Sequence, residues 1–280
     1  MKNRFFSGSI LVLIFFLIPY VSVIIFNGAD IALINRNLDV EMVLPAVLAS
    51  QIDSNYELET IKAQAIIARS NIYRCMEEKE EVKNLIEEIR KKFSDSYYYF
   101  SVPNYVYEKA VTETKGKVLT YNNELKMIPY HKVSAGATRD GKECFHDEKY
   151  SYLQSVDSSI DKKSDEYLNC IYININQLPD ALKIKTRDSA GYVTELLADG
   201  NVLEGESFRK GMGLTSSNFT AQKIGEKIRF ICKGKGHGFG LSQDGGNELA
   251  KNKSTGEEIL AAYFPAMEIR DISDINLLKD

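Results

Sequence analysis

Alternating glycines are a usual way to let a backbone approach a ligand, and Gly234-Lys-Gly236-His-Gly238-Phe-Gly240 has four of them. The spacing excludes dinucleotide binding. That fingerprint needs a further glycine three places after the second, where this chain has Phe239, Leu241 or Gln243, and no strand–helix unit follows. Read as a strand of period two, the glycines share one face, with Lys235, His237 and Phe239 on the other. His237 then lies on the floor of a groove or inside a tightly packed sheet. Lys132-Val-Ser134-Ala-Gly136 lacks the leading glycine of a serine-hydrolase elbow. No H-E-x-x-H is present. Cys144-Phe-His146, with His131 or Cys170, offers three side chains of types that bind zinc, although their spacing matches no standard zinc motif. A Cys–His nucleophile from the same pair is disfavoured by the i,i+2 spacing. The cysteines at 75, 144, 170 and 232 contain no C-x-x-C, which excludes a zinc ribbon and a thioredoxin-type site.

These residues need a folded frame, and the composition provides one. The 280 residues are 44% hydrophobic and 26% charged, which excludes wholesale disorder. Thirty-five Lys and Arg face 39 Asp and Glu, a net charge of −4 that builds no nucleic-acid-binding surface. Phe5 to Phe26 carries no charge over 22 residues, so as a helix it spans roughly 33 Å, the thickness of a bilayer core. Lys2 and Arg4 precede it and put the N-terminus in the cytoplasm. A cleaved signal peptide is the competing reading, but the run is longer than a signal core and lacks a clear A-x-A site. Residues 1–26 are therefore expected to be a membrane anchor and 27–39 a stalk, with an extracytoplasmic domain beyond.

Val40 to Ile52 is apolar but interrupted by Pro45, and reads as a short strand or turn. Ser54 to Glu57 fits a capping box, and Leu58, Ile61, Ala65, Ala68 and Ile72 follow at helical spacing, predicting a helix over about 57–73. The acidic and basic run after it reads as a solvated helix face, and Ser94 to Tyr107 as an irregular tyrosine-rich loop. Those tyrosines either pack or stack on sugar rings. Lys115 to His131 alternates around Asn122-Asn123, a hairpin; CIYININ, GYVTELLADG and KIRFICKGKGHGFGL read as strands, and Leu249 to Phe264 as a helix. Strands grouped between terminal helices predict an α+β fold: an antiparallel sheet core with packed helices, preceded by one transmembrane helix.

Taken in order, VLASQIDSNYELETIKAQAIIARSNIY, TKGKVLTYNNELKMIPYHKVSAGATRDG, YSYLQSVDS and GKGHGFGLSQDGGNELAKNKSTGEEILAAYFP resemble the SpoIID/LytB family. The resemblance covers residues 40–270, with 74–108 as a helical, Tyr-rich insertion and 271–280 as a tail. It implies action on peptidoglycan. Sporulation members of that family are lytic transglycosylases that cut glycan strands stripped of stem peptides and work with a cell-wall amidase; the LytB-type members are amidase enhancers. The family's catalytic glutamate stands eleven residues before the lysine of K-A-Q-A. Counting back from Lys62 gives Gln51, with Asp53 as the nearby carboxylate that could substitute. An amide neither donates nor takes up a proton near neutral pH.

By the same resemblance, Lys62 and Arg69 would clamp a sugar hydroxyl or carboxylate, and His131, Ser134, His237, Ser242 and Gln243 would line the groove. Some members bind zinc through cysteine and histidine near Cys144 and His146; no other cofactor is implied. The expected partners are peptidoglycan glycan strands, a cell-wall amidase and the cell membrane, with no nucleic acid. The rival reading is a non-catalytic scaffold that holds glycan or enhances an amidase.

Overall fold

The computed structural model describes residues 40–77 and 105–275. The expected anchor and stalk, most of the 74–108 insertion and the end of the tail lie outside the described residues. Among the described helices none is long and apolar enough to cross a membrane.

The first described element is a helix, α1 (Val40–Gln51), where a strand or turn was expected. Pro45 withholds the amide proton that an unbroken helix gives to the Glu41 carbonyl, a loss of about 3 kcal/mol. Leu44 and Leu48 are fully buried and Val47 nearly so. At about 1.5–3 kcal/mol for each large side chain, that burial outweighs the proline. Helix α2 (Leu58–Glu77) forms where the apolar spacing predicts it and is buried almost all round, as suits a core helix. Its N-terminus is not held by the expected Ser54–Glu57 box. Asn247 takes that part instead, accepting from the Glu57 amide at 2.8 Å and the Thr60 hydroxyl at 3.4 Å. Helix α3 (Tyr105–Glu113) takes in the end of the expected tyrosine loop. Its Tyr107 packs inward, and the hydroxyl donates to the Ile52 carbonyl at 2.6 Å.

The predicted hairpin is present. β1 (Lys117–Tyr121) and β2 (Glu124–Leu125) are antiparallel, and Asn122 and Asn123 both have positive φ, as a type I′ turn requires. β3 (Tyr130–His131) follows, then the short helix α4 (Gly141–Phe145). Next come β4 (Leu168–Asn174), β5 (Leu182–Arg187), β6 (Val193–Ala198), β7 (Asn201–Glu204), α5 (Gly205–Gly211), β8 (Phe219–Ile224) and β9 (Lys227–Lys233). β10 (Leu241–Ser242) leads directly into α6 (Gln243–Lys251). The helix expected over 249–264 is broken, and α7 (Gly256–Tyr263) begins afresh at Thr255, whose side chain forms a capping box with Glu258. β11 (Glu268–Asp271) closes back on β1.

The class is α+β as expected, but the antiparallel core is divided into small sheets ordered β11-β1-β2, β4-β9-β8 and β5-β6-β7. β3 and β10 form a separate parallel pair. One apolar core gathers Ile66 and Ile67 of α2 with Leu119, Ile128, Leu241, Leu260 and Phe264. A second joins the other two sheets through Val193, Leu196, Phe208, Phe219 and Phe230.

Lys62 and Arg69 do share one face of α2, but it is the face turned toward α3 and β1. Arg69 is completely buried. Its guanidinium grips both oxygens of Glu41 at 2.7 and 2.8 Å, and also donates to Thr114 and to the carbonyls of Val111 and Lys117. Every donor has a protein acceptor, so the expected role of Arg69 as a substrate clamp is replaced by a structural one. Replacing Arg69 with Met keeps part of the stem and removes the guanidinium from Glu41. We expect a loss of about 3–5 kcal/mol, the range for breaking a buried pair on one side. It would be measured as a lower urea midpoint at constant m-value; a loss below about 1 kcal/mol would reduce the pair to surface strength.

Candidate functional site

The segment from Gly234 to Gly240 is not a strand. All four glycines have positive φ, so the period-two arrangement of their side faces is lost. The close approach that bare glycines permit is nevertheless real, and the partner is residues 129–134. A Cβ on Gly236 would stand 2.7 Å from the Cβ of His131, and one on Gly240 would stand 2.1 Å from the Pro129 carbonyl oxygen. Neither place admits a side chain, and neither backbone conformation suits one. Backbone hydrogen bonds between Val133 and Lys235, at 2.8 and 3.0 Å, hold the two segments together.

This contact brings His131 and His237 into tilted ring contact, with centroids 5.6 Å apart. His131 lies 3.0 Å from the Phe239 carbonyl through Nδ1, which therefore carries the proton. Its Nε2 is buried with no partner among the described residues. Burial, and secondarily His237, push the His131 pKa down to about 3. His237 accepts the Phe239 amide at Nδ1, 3.1 Å, and its pKa is also lowered, chiefly by burial. Both rings are neutral near pH 7 and face backbone. They were expected to line a groove and instead brace the loop beneath it.

Ser134 and Ser242 were also expected to line the groove, and both are fully buried. They converge on a carboxylate that the sequence did not single out. Asp161, in the 3-10 turn Ser159–Lys163, accepts from the Ser134 amide at 3.0 Å, the Ser158 hydroxyl at 2.8 Å and the Ser242 hydroxyl at 2.9 Å. Burial raises its pKa, and these hydrogen bonds act in the opposite direction. Ser242 also caps α6 by accepting the Gly245 amide at 3.3 Å.

One residue further on, Gln243 reaches α1. Its Nε2 donates to the Gln51 carbonyl at 2.8 Å and to Gln64 Oε1 at 3.3 Å, while Gln64 Nε2 donates to Gln51 Oε1 at 2.9 Å. Gln64 and Gln243 thus surround Gln51, at the position where the family resemblance expects a catalytic carboxylate. With its oxygen turned to Gln64, the half-buried Gln51 directs its own NH2 elsewhere, as a donor. Gln64 lies two residues from Lys62, about 200° around α2, so Lys62 faces away from this group. Lys62 instead pairs with Glu59 at 2.8 Å and Glu113 at 3.2 Å.

Beside the glutamines is a cleft of about 520 Å³ lined by Tyr56, Lys132, Ser164, Glu166, Asp244 and Asn247 among others. Lys132 is its central cation. The ammonium lies 3.5 Å from Asp53, 3.7 Å from Asp244 and 4.0 Å from Glu166, and 4.7 Å over the Tyr56 ring. The Tyr56 hydroxyl donates to Asp244, as does Ser164 Oγ at 2.5 Å. Asp53, the expected substitute for the catalytic carboxylate, is 70% exposed and held at the cleft edge by Lys132. It takes no part in the glutamine group.

The zinc ligands suggested by the sequence are not gathered. Cys144 donates to Asp188 at 3.4 Å, and its thiol is pushed up to about 12, first by burial, so it is not a thiolate near pH 7. His146 is exposed at the left-handed end of α4, and Cys170 is exposed on β4. No group of three or more His, Cys, Asp or Glu among the described residues could hold a metal ion, so the residues present do not fit zinc.

Gln64 lies within K-A-Q-A and Lys132 within H-x-x-S, while Asp244 directly follows S-Q; none carries a separate signal in the sequence. Asp161 carried no local signal, since Ile160-Asp161-Lys162-Lys163 reads as a solvated charged turn.

The two segments that carry the family resemblance, K-A-Q-A on α2 and the G-H-G-x-G-x-S-Q loop, meet in this α+β domain through Gln64 and Gln243. The family profile described as SpoIID, Stage II sporulation protein, matches residues 28–121. Stage II sporulation protein D of Bacillus subtilis (strain 168) is 28% identical over 263 residues, covering 84% of this chain and 76% of that protein. The Bacillus amyloliquefaciens protein of the same name is 28% identical over 265 residues, covering 84% and 75%. Together these matches show that the chain is similar to the stage II sporulation D proteins over most of its length.

The buried imidazole has a measurable cost in acid. Because His131 titrates near 3 in the fold against 6.5 when unperturbed, only the unfolded chain takes up its proton between those values. Its contribution is complete above about 6.5 and is lost as the pH falls, at about 1.4 kcal/mol per pH unit. Urea unfolding at pH 7 and pH 5 should show the wild type losing about 2 kcal/mol more than His131→Asn, whose amide can replace Nδ1–H. Equal losses would mean that His131 is protonated in the folded protein.

Proposed function

We propose that this protein is a membrane-anchored, extracytoplasmic member of its family that holds peptidoglycan glycan strands without cutting them. The observation that carries this reading is the glutamine group: Gln51, which stands where the family resemblance expects the acid/base glutamate, has its oxygen committed to Gln64 and its carbonyl to Gln243. A lytic transglycosylase must protonate the leaving glycosidic oxygen and then take a proton from the sugar hydroxyl that closes the anhydro ring. An amide does neither. Losing positioned acid–base catalysis removes about 10²–10⁴ in rate, while the donor NH2 of Gln51 and the polar cleft remain suited to sugar oxygens. The anchor reading rests on Phe5 to Phe26 with Lys2 and Arg4 before it. Such an anchor would hold the protein at the cell membrane; the proposed partners, glycan strands and a cell-wall amidase in sporulation or wall remodelling, rest on the family resemblance.

A second reading, a cleaving enzyme, has one observation in its favour. Asp53 stands at the edge of the same cleft, 3.5 Å from Lys132. The test uses the purified full-length chain on denuded glycan strands, scoring both co-sedimentation and anhydro-muramyl ends. We expect the wild type to bind without producing ends, and Gln51→Glu to produce them. Ends from the wild type that disappear in Asp53→Asn would establish the cleaving enzyme. Absence of binding by both proteins would overturn the glycan assignment.

A further inference from the structure

We infer that Asp161 is the positioning residue of the glutamine group: through the Ser242 hydroxyl it sets where Gln243 presents its amide to Gln51 and Gln64. This rests on the glycan-holding reading only for its consequence in binding; the geometry stands without it.

The relay is short: a hydrogen bond at each end, joined by the peptide bond between Ser242 and Gln243. Asp161 Oδ1 accepts from Ser242 at 2.9 Å. Ser242 is both the cap of α6 and the residue before Gln243, so its position fixes the first turn of that helix. Gln243 projects from this turn to Gln51 and Gln64. The other carboxylate oxygen, Oδ2, is tied to the Ser134 amide and the Ser158 hydroxyl. Ser158 in turn pairs with the Tyr263 hydroxyl at 2.6 Å, which joins the turn to α7.

An ordinary buried filler would need none of this. A fully buried carboxylate is costly unless its acceptor sites are filled, and apolar packing of the same volume is cheaper. What the carboxylate supplies and an apolar residue does not is direction. It is acceptor-only, so it fixes which way the Ser134 amide, the Ser158 hydroxyl and the Ser242 hydroxyl all point. An asparagine has the same shape but turns an NH2 toward one of those donors.

The experiment uses the full-length chain labelled with ¹⁵N-glutamine, comparing wild type, Asp161→Asn, Ser242→Ala and the double variant. The side-chain amide resonances of Gln243, Gln51 and Gln64 report the geometry with no ligand present. Thermal unfolding run beside them separates positioning from loss of fold. We expect Asp161→Asn and Ser242→Ala each to move the Gln243 amide resonances. The double variant should move them no further than either single one, as two links of one chain require.

Binding of glycan strands should weaken about tenfold in each, the worth of one misdirected hydrogen bond. Unchanged Gln243 resonances in a folded Asp161→Asn protein, or additive shifts in the double variant, would overturn the inference. Should Asp161→Asn not fold, Ser242→Ala decides alone, since wild-type amide positions there would break the relay. Moved amides in a protein that never binds glycan would uphold Asp161 and overturn the glycan reading.

Discussion

Residues 234–240 run so close to residues 129–134 that no side chain fits at Gly236 or Gly240, and the geometry of the cleft follows from that contact. It sets His131 opposite Ser242 in the parallel pair, buries the His131 imidazole and brings His237 against it. It also delivers Gln243 to the end of α1. The contact is steric before it is chemical. Backbone can approach backbone at this distance only where Cβ atoms are missing and φ is positive, so the glycines are a condition of the architecture. Of the polar groups trapped in the process, the Ser134 amide and the Ser242 hydroxyl are satisfied at Asp161, while His131 Nε2 keeps no partner among the described residues.

Helix α2 divides two kinds of work between its faces. Gln64 meets Gln51 and Gln243, while Lys62 and Arg69 turn toward α3 and Glu41. The K-A-Q-A-x-x-A-R pattern therefore combines a buried member of the glutamine group with an anchor for the scaffold. Around the cleft, Lys132 is balanced by three carboxylates rather than left to attract an anion. Such a lining offers donors and acceptors in close alternation, which suits hydroxyl-rich ligands better than strongly charged ones.

The elements with strong local periodicity were legible in the sequence. α2 followed from its apolar spacing, the β1–β2 hairpin from Asn122-Asn123, and β4, β6 and β9 from their alternation. Elements decided by distant contacts were not. Pro45 argued against α1, and only the burial of Leu44 and Leu48 reverses that argument. The glycine loop reads as a strand until its neighbour at 129–134 is known. Arg69 was placed on the right face, but its acceptors come from α1 and from 111–117, on either side of α2 in sequence. The family resemblance marks Gln51 by its distance from Lys62, whereas the role of Asp161 depends on Ser134 and Ser242, both remote in sequence, meeting around it beside its neighbour Ser158.

The cradle around Gln51 suits either side chain at that position. Gln64 donates its amide proton to the Oε1 of residue 51, a bond that a carboxylate accepts as readily as an amide does. Gln243 holds the backbone carbonyl of residue 51 and is indifferent to the side chain. In the genetic code, glutamine and glutamate codons differ only in their first nucleotide. The exchange at position 51 therefore lies a single point mutation away in either direction, and a lineage carrying this cradle can cross between the two states without rebuilding anything around them.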